Sequence, residues 1–106
     1  MRVVVKIGGT AVEDAALLAR CARTIADLVC DGHKVVLVHG GGAALTRTLT
    51  QLGKKSEFID GLRVTDAETR DVALMVLAGQ INKRVVAALA TAGVPAIGLS
   101  GGDGLA

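Results

Sequence analysis

The chain has 106 residues, 51% of them hydrophobic, and a formal net charge of +2, which suits one small domain with a core of aliphatic side chains. The basic residues are dispersed and aromatic side chains are almost absent, so nucleic-acid binding has little support. No stretch approaches the roughly 20 apolar residues of a membrane span and no signal peptide is recognised, so we expect a cytoplasmic protein without membrane partners.

Two apolar strands are each predicted to end in a glycine-rich turn. The first covers residues 2–7 and runs into Gly8-Gly9, and the second covers residues 34–39 and runs into Gly40-Gly41-Gly42. Such β-branched runs are typical of buried parallel strands, whose carboxyl ends face ligands in open α/β sheets. Glycine lets backbone N–H groups approach a ligand, and consecutive N–H groups form an anion-binding concavity. The two turns therefore predict phosphate chemistry.

A helix is predicted after each of these strands. The first runs from Glu13 to Cys30 and the second covers residues 43–52, both with apolar residues at helical spacing. Cys21 and Cys30 would be about 13 Å apart along the first helix, beyond the reach of a disulfide. We therefore expect two buried free thiols, and no metal site from the spacing of the Cys and His residues.

The remaining strands are short. Asp60-Gly61 favours a tight hairpin turn between residues 57–59 and 62–64. A further strand is predicted over residues 96–99, and it leads into a third glycine-rich turn at residues 100–104. Because the chain stops just after this turn, we expect it to be the amino-terminal part of a longer protein.

The longest helix is predicted to begin at a capping box formed by Thr65 and Glu68 and to run toward Ala92, kinked or broken near Gly79. Its first half is apolar on two faces, formed by Val72, Met75 and Val76 and by Leu74, Leu77 and Ala78. Two apolar faces require cover on two sides, by a partner subunit or by a further domain.

Lys6 and Arg63 are the candidate reactive side chains. An unpaired ammonium is costly in an apolar strand, and Gly8-Gly9 leaves room for an anion beside Lys6, although a lysine reaching solvent at the sheet edge is the alternative. The planar fork of Arg63 suits a carboxylate, but a solvated hairpin arginine fits its position equally well. His39 is better explained by a hydrogen bond to backbone, and Asp103 receives no role. No Walker-type phosphate loop is present.

Five motifs in this order resemble the amino acid kinase family: Val-Lys-Ile-Gly-Gly at 5–9, Val-His-Gly-Gly-Gly at 38–42, Gly-Leu-Arg-Val-Thr-Asp at 61–66, Leu-Ala-Gly-Gln-Ile-Asn-Lys at 77–83 and Gly-Leu-Ser-Gly-Gly-Asp-Gly at 98–104. The second and third are most similar to the branch that acts on N-acetyl-L-glutamate. The resemblance implies an α/β fold with an open, mainly parallel sheet sandwiched by helices and a short β-hairpin. Residues 1–106 would be the amino-terminal, substrate-binding domain, with the carboxyl-terminal nucleotide-binding domain absent.

The same resemblance implies a reaction and a set of roles. The reaction is ATP-dependent phosphorylation, with Mg²⁺, of the side-chain carboxylate of N-acetyl-L-glutamate to an acyl phosphate in arginine biosynthesis. The implied roles are Lys6 as the catalytic group that stabilises the transferring phosphoryl, Gly8 and Gly9 as the phosphate-facing turn, Gly41 and Gly42 as substrate contacts, and Arg63 as the clamp on the substrate α-carboxylate. No protein ligand to a metal is implied. A carboxylate is already ionised at neutral pH, so the reaction needs alignment and charge compensation rather than a general base.

Two alternatives remain open at this point. A related aminoadipate or aspartate kinase would share most of the motifs, and a non-catalytic dimerising module could keep the fold without the reaction. We expect the chain by itself to lack kinase activity, because half of the nucleotide site would be missing. We also expect a homodimer formed through the helix over residues 66–78, with Val72, Met75 and Val76 as an exposed association stripe.

Overall fold

The computed structural model describes residues 1–104, in which helices and short strands alternate. In chain order the elements are β1 (Arg2–Ile7), α1 (Gly9–Glu13), α2 (Ala15–Cys30), β2 (Lys34–His39), α3 (Gly42–Gln51), β3 (Phe58–Ile59), β4 (Leu62–Arg63), α4 (Ala67–Ala73), a π-helix (Leu74–Ile81) and α5 (Asn82–Thr91). The predicted mixture of helices, a parallel sheet and a hairpin is thereby confirmed.

The central sheet consists of β1 and β2, which run parallel. Their register pairs Arg2 with Lys34 at one end and Ile7 with His39 at the other. Val5 and Leu37 lie on the face that packs against the helices. The opposite face is bare within residues 1–104, where Val36 is 61% exposed. The described residues thus contain one helical layer on this sheet, and the second layer of the implied sandwich stays a prediction.

The strand predicted over residues 96–99 is absent. Residues 94–100 have no regular secondary structure, and Ile97 is 87% exposed. The backbone carbonyl oxygens of Gly98 and Leu99 accept hydrogen bonds from the side chains of Lys83 and Asn82 instead of from a neighbouring strand. Side-chain donors on α5 therefore bond to carbonyl groups that the predicted strand would have paired with a neighbouring strand.

The first predicted helix is divided in two. Glu13 belongs to the short helix α1, and Asp14 caps α2 by accepting a hydrogen bond from the Leu17 amide at 3.0 Å. Asp is a favoured N-cap because its carboxylate satisfies an amide that has no partner inside the helix. Both cysteines are free, as predicted, but the expectation of burial is wrong for Cys30. It is exposed because it ends α2, beyond the part that covers the sheet.

The hairpin forms at the predicted turn. Asp60 and Gly61 both have positive φ angles, of 51° and 78°, as a two-residue type I′ turn requires. The cap of the next helix is one residue later than predicted. Asp66, not Thr65, is the N-cap of α4, and its carboxylate accepts a hydrogen bond from the Thr69 amide at 2.8 Å. The hydroxyl of Thr65 donates to the Arg63 carbonyl.

The long helix is continuous from Ala67 to Thr91. The irregularity expected near Gly79 is a π-helix rather than a break. The prediction that Val72 and Val76 belong to an exposed association stripe is wrong, because both are buried in the core of this chain. Met75, which is 61% exposed, is the member of that face that remains at the surface.

The core is formed mainly by side chains of the helices, together with Ile7 of β1. Its least exposed large side chains are Leu49, Ile81 and Val12, which come from α3, the π-helix and α1. By length and composition the helix Ala67–Thr91 could cross a membrane, with a mean hydropathy of 1.4 in a window that is 33% buried. A core helix of a soluble protein meets the same test, since its packing residues are equally apolar. The absence of a membrane partner stays a prediction.

Candidate functional site

The parallel register of the sheet brings the first two glycine-rich turns together. Ile7 pairs with His39, so the residues that follow them emerge side by side at the carboxyl edge of β1 and β2. Gly8 then caps α1 and Gly41 caps α3. Strand ends of this kind are where open α/β folds bind ligands.

The structural explanation for glycine differs between positions in these turns. A Cβ on Gly41 would lie 2.7 Å from Leu77 Cδ2, and Gly41 has a φ of 156°. Close packing and backbone conformation therefore both require glycine at Gly41. A Cβ on Gly8, Gly9 or Gly42 would meet nothing within 4 Å. Those three positions border open space, which leaves their backbone accessible.

Lys6 lies on the bare face of the sheet, where its Cα pairs with that of Val38. Among the described residues no carboxylate forms an ion pair with it. The structure therefore places a free ammonium one residue before the end of β1, beside the Gly8-Gly9 turn. It shows no hydrogen bond between Lys6 and the other predicted site residues in the part of the chain that it describes.

Arg63 is brought directly to the second turn. Its Nη2 donates to the Gly42 carbonyl at 3.3 Å and to Thr46 Oγ1 at 3.0 Å, and its Nη1 donates to Ser56 Oγ at 2.9 Å. The guanidinium carbon also lies 4.7 Å from the centre of the Phe58 ring, a cation–π contact. Arg63 is thus anchored over the amino end of α3 rather than solvated on the hairpin.

A polar group that the sequence analysis did not predict lies beside the second turn. Asn82 is 8% exposed, and its Nδ2 faces His39 Nε2 at 3.2 Å and the Leu99 carbonyl at 3.3 Å. Lys83 Nζ donates to Asn82 Oδ1 at 3.0 Å and to the Gly98 carbonyl at 3.2 Å. The signal for this group was the Asn-Lys pair inside an apolar helix. Its partners are 43 and 17 residues away in sequence and were not predictable from spacing.

Two further charged groups are held by local contacts. The Lys54 ammonium, 2.6 Å from Asp66 Oδ2, and the Thr69 amide hold the pKa of the Asp66 carboxyl well below its usual value. Hydrogen bonds from the Ser100 amide and hydroxyl lower the pKa of Asp103. Lys54 thereby joins the loop that follows α3 to the cap of α4. Within residues 1–104, no group of three or more His, Cys, Asp or Glu side chains could hold a metal ion.

Comparison with known proteins gives a family and a set of relatives. The model of the amino acid kinase family matches residues 1–106. The chain is 68% identical over 105 residues to an acetylglutamate kinase of Acidobacterium capsulatum and 57% identical over 103 residues to one of Koribacter versatilis. These alignments cover 99% and 97% of this chain but 40% of each relative. The chain therefore spans about 40% of the length of these curated relatives.

This chain also resembles a solved structure in its fold. An N-acetylglutamate synthase from Neisseria gonorrhoeae, in complex with coenzyme A and N-acetyl-glutamate, matches 91% of this chain with a TM-score of 0.74 and 31% sequence identity. The match covers 22% of that protein. The same architecture therefore occurs inside a larger protein that binds N-acetyl-glutamate.

Proposed function

Because the chain belongs to the amino acid kinase family, we propose that it is the amino-terminal, substrate-binding part of an acetylglutamate kinase. The reaction would transfer the terminal phosphoryl group of ATP to the side-chain carboxylate of N-acetyl-L-glutamate, in arginine biosynthesis. The observation that carries the proposal is the placement of the Arg63 guanidinium at the Gly42 carbonyl, beside the strand ends. The identity of 68% to an acetylglutamate kinase favours this substrate over aspartate or aminoadipate.

Arg63 would bind the α-carboxylate of the substrate. A guanidinium has five N–H donors, and the hydrogen bonds to Gly42, Thr46 and Ser56 use three of them. The acceptors at Nη2 are neutral, whereas a carboxylate forms a shorter and stronger charge-assisted bond. The substrate would therefore displace one of these neutral acceptors and leave the others to orient the arginine. The accessible backbone of Gly42 would contact the same substrate, with Gly41 shaping the turn.

Lys6 and the Gly8-Gly9 turn would act on the phosphoryl group. A free ammonium and two glycines that border open space fit the charge and the bulk of a phosphate. Lys6 would offset the repulsion between two anions as they approach, a contribution that grows with the charge developing in the transition state. Mg²⁺ would enter bound to ATP, and we assign it no protein ligand in this chain.

The setting of the reaction belongs to the same proposal. We propose that the protein acts in the cytoplasm, without nucleic-acid or membrane partners. A homodimer would form through the helix over residues 66–78, with Met75 rather than the buried Val72 and Val76 at the contact.

A chimeric kinase tests this function. Residues 1–105 of this chain would replace the matching segment of the Acidobacterium capsulatum acetylglutamate kinase, which is 68% identical to it. We expect the chimera to form an acyl phosphate from N-acetyl-L-glutamate and ATP, trapped as the hydroxamate with hydroxylamine. The 106-residue chain alone should form none, because it spans about 40% of the relative.

The same assay separates the alternatives. Faster phosphorylation of aminoadipate or aspartate than of N-acetyl-L-glutamate by the chimera would replace the proposed substrate. A folded chimera that phosphorylates none of the three acids would favour a non-catalytic module. Hydroxamate formation by the isolated chain would contradict the division of the active site between two parts of the enzyme.

A further inference from the structure

We propose that Asn82 is a positioning residue that joins the second and third glycine-rich turns by holding His39 in one tautomer. His39 directly precedes the second turn, and the backbone of Gly98 and Leu99, which Asn82 and Lys83 contact, leads directly into the third turn. The proposal rests on the proposed function only where it treats residues 40–42 as facing the substrate.

The orientation of the Asn82 amide follows from its partners. Lys83 Nζ has hydrogens only to donate, so the amide atom 3.0 Å from it is the oxygen. The Leu99 carbonyl can only accept, so the amide atom 3.3 Å from it is the nitrogen. Two partners with opposite chemistry therefore fix the same orientation independently.

The amide orientation in turn fixes the protonation of His39. One N–H of Asn82 points to the Leu99 carbonyl and the other to His39 Nε2 at 3.2 Å, so Nε2 must accept and carries no hydrogen. The ring proton then lies on Nδ1, 3.0 Å from the Gly40 carbonyl, to which it donates. This is the less common tautomer of free histidine, and the Asn82 amide and the Gly40 carbonyl both require it.

The contact has a steric requirement on the other turn. A Cβ on Gly98 would lie 1.9 Å from Asn82 Oδ1 and 2.9 Å from Lys83 Nζ. A Cβ on Gly101, three residues away, would meet nothing within 4 Å. Gly98 is therefore glycine because the backbone that leads into the third turn lies directly against the amide.

The contacts of His39 and Asn82 restrict the positions of both turns. His39 ends β2 and pairs with Ile7, so a ring that is held from both nitrogens fixes the start of the turn at Gly40. The same amide holds Leu99, so the two turns keep one relative position. Buried polar groups that are fully hydrogen-bonded specify a single arrangement in this way.

Nitrogen-15 NMR of the histidine rings in the 106-residue chain tests the proposal directly. In the parent chain at mildly alkaline pH we expect a protonated Nδ1 and an unprotonated Nε2 at His39. His33, at the other end of β2, is a reference in the same spectrum. Asn82→Asp has no N–H to donate, so its carboxylate should move a proton onto Nε2. A proton on Nε2 in the parent chain would overturn the proposal.

Two glycine variants keep the test decisive if Asn82 variants fail to fold. Gly98→Ala should shift the His39 ring signals and the amide signals of residues 40–42, because its Cβ displaces the Asn82 amide. Gly101→Ala, the matched control, should leave them unchanged. Equal spectra for Gly98→Ala and the parent, or equal shifts in the two variants, would also overturn the proposal.

The chimeric kinase gives the functional readout. Gly98→Ala should raise the KM for N-acetyl-L-glutamate about tenfold, the effect of losing one hydrogen bond of average strength, with a smaller change in kcat. Gly101→Ala should not raise it. Equal KM values in these two variants would refute a role in positioning. A chimera without any kinase activity would refute the proposed function instead, and the tautomer of His39 would still decide the present proposal.

Discussion

Lys6 and Arg63 are the cationic site residues predicted beside the first and second glycine-rich turns, and their surroundings differ. Lys6 stands on a bare sheet face without an ion pair in the described part of the chain. Arg63 is held by three hydrogen bonds and an aromatic ring. A free ammonium can follow a moving phosphoryl group, whereas an anchored guanidinium is suited to fixing a substrate. The two residues should therefore have different kinetic signatures.

Lys6→Met in the chimeric kinase should lower kcat by about 10²–10³-fold, because it removes a charge aimed at the transition state. The KM for N-acetyl-L-glutamate should change much less. Steady-state kinetics measure both. Lys34→Met is the matched control, since Lys34 lies on the same exposed face of the sheet but at its opposite end. A raised KM with an unchanged kcat would contradict the role given to Lys6.

Arg63→Lys should weaken substrate binding by about ten- to a hundredfold, because a point charge cannot replace a guanidinium fork on a carboxylate. The KM for N-acetyl-L-glutamate in the chimera is the measurement. Arg47→Lys provides the control, since Arg47 lies on the same helix as Thr46 but pairs with Glu13 at 3.0 Å. Unchanged binding in Arg63→Lys would return Arg63 to the class of structural hairpin residues.

At the scale of elements, the long helix depends on how it begins. Asp66 caps α4 and is joined to the loop by Lys54, which also lies 3.6 Å from Glu68. Negative charge at a helix amino terminus is favoured by the exposed N–H groups there. This cap therefore ties the start of the helix to the segment that follows α3.

Asp66→Asn should lower the thermal stability of the chain at about pH 7. Asn caps a helix as well as Asp does, so the variant isolates the charge. The pKa of Asp66 is lowered in the folded state, so its stabilisation is present above the ordinary carboxyl pKa of 3.8 and is lost progressively as the pH falls below it. The difference in Tm between parent and variant should therefore shrink toward about pH 2.

Thermal melts across this pH range are the measurement, and Asp71→Asn is the control. Asp71 and its partner Arg70 are both largely exposed and 3.6 Å apart, so its charge should contribute little. A Tm difference for Asp66→Asn that is independent of pH would show that the carboxylate charge does not stabilise the cap.

At the scale of the whole molecule, apolar surface remains uncovered within residues 1–104. A cavity of about 1000 Å³ lies between β2, the long helix and the segment around residues 94–102. On the long helix, the side chains of Leu74 and Met75 are 59% and 61% exposed. Exposed apolar patches of this kind mark association sites or surfaces for further chain. Arrangement around a two-fold axis is the commonest solution for soluble proteins.

Met75→Asp should shift sedimentation of the protein toward monomer without unfolding it, because Met75 is at the surface. Val76→Asp is the contrasting variant. Val76 is 4% exposed, so a charge there should unfold the chain rather than dissociate a dimer. Sedimentation velocity and circular dichroism separate the two effects. A parent protein that is monomeric at high concentration would contradict the dimer.

The sequence and the structure agree best where the signal is local. The hairpin at Asp60-Gly61 follows from a dipeptide that tolerates positive φ angles, and β1 and β2 follow from unbroken apolar runs. Agreement is poorer where adjacent residues offer the same local contact. Thr65 and Asp66 can both cap a helix, and the carboxylate of Asp66, which Lys54 also contacts, takes the position.

The spacing of apolar residues along the long helix likewise does not predict which apolar face is buried. Val72, Met75 and Val76 share one predicted face, yet the two valines are buried and the methionine is exposed. The π-helix over Leu74–Ile81 makes the exposed face harder to predict, because its wider turn rotates the side chains away from the positions that a regular helix predicts.

The sequence alone therefore determined β1, β2, the hairpin, the first two glycine-rich turns and the candidates Lys6 and Arg63, because each depends on neighbouring residues. Only the tertiary structure decided that Arg63 is anchored at Gly42 and that Asn82 joins His39 to Leu99. These contacts link residues 17 to 43 positions apart, and their partners are selected by packing of the whole chain. No spacing in the sequence encodes that selection, since the hydrogen-bonding capacity of Asn, Arg and backbone is the same wherever they stand.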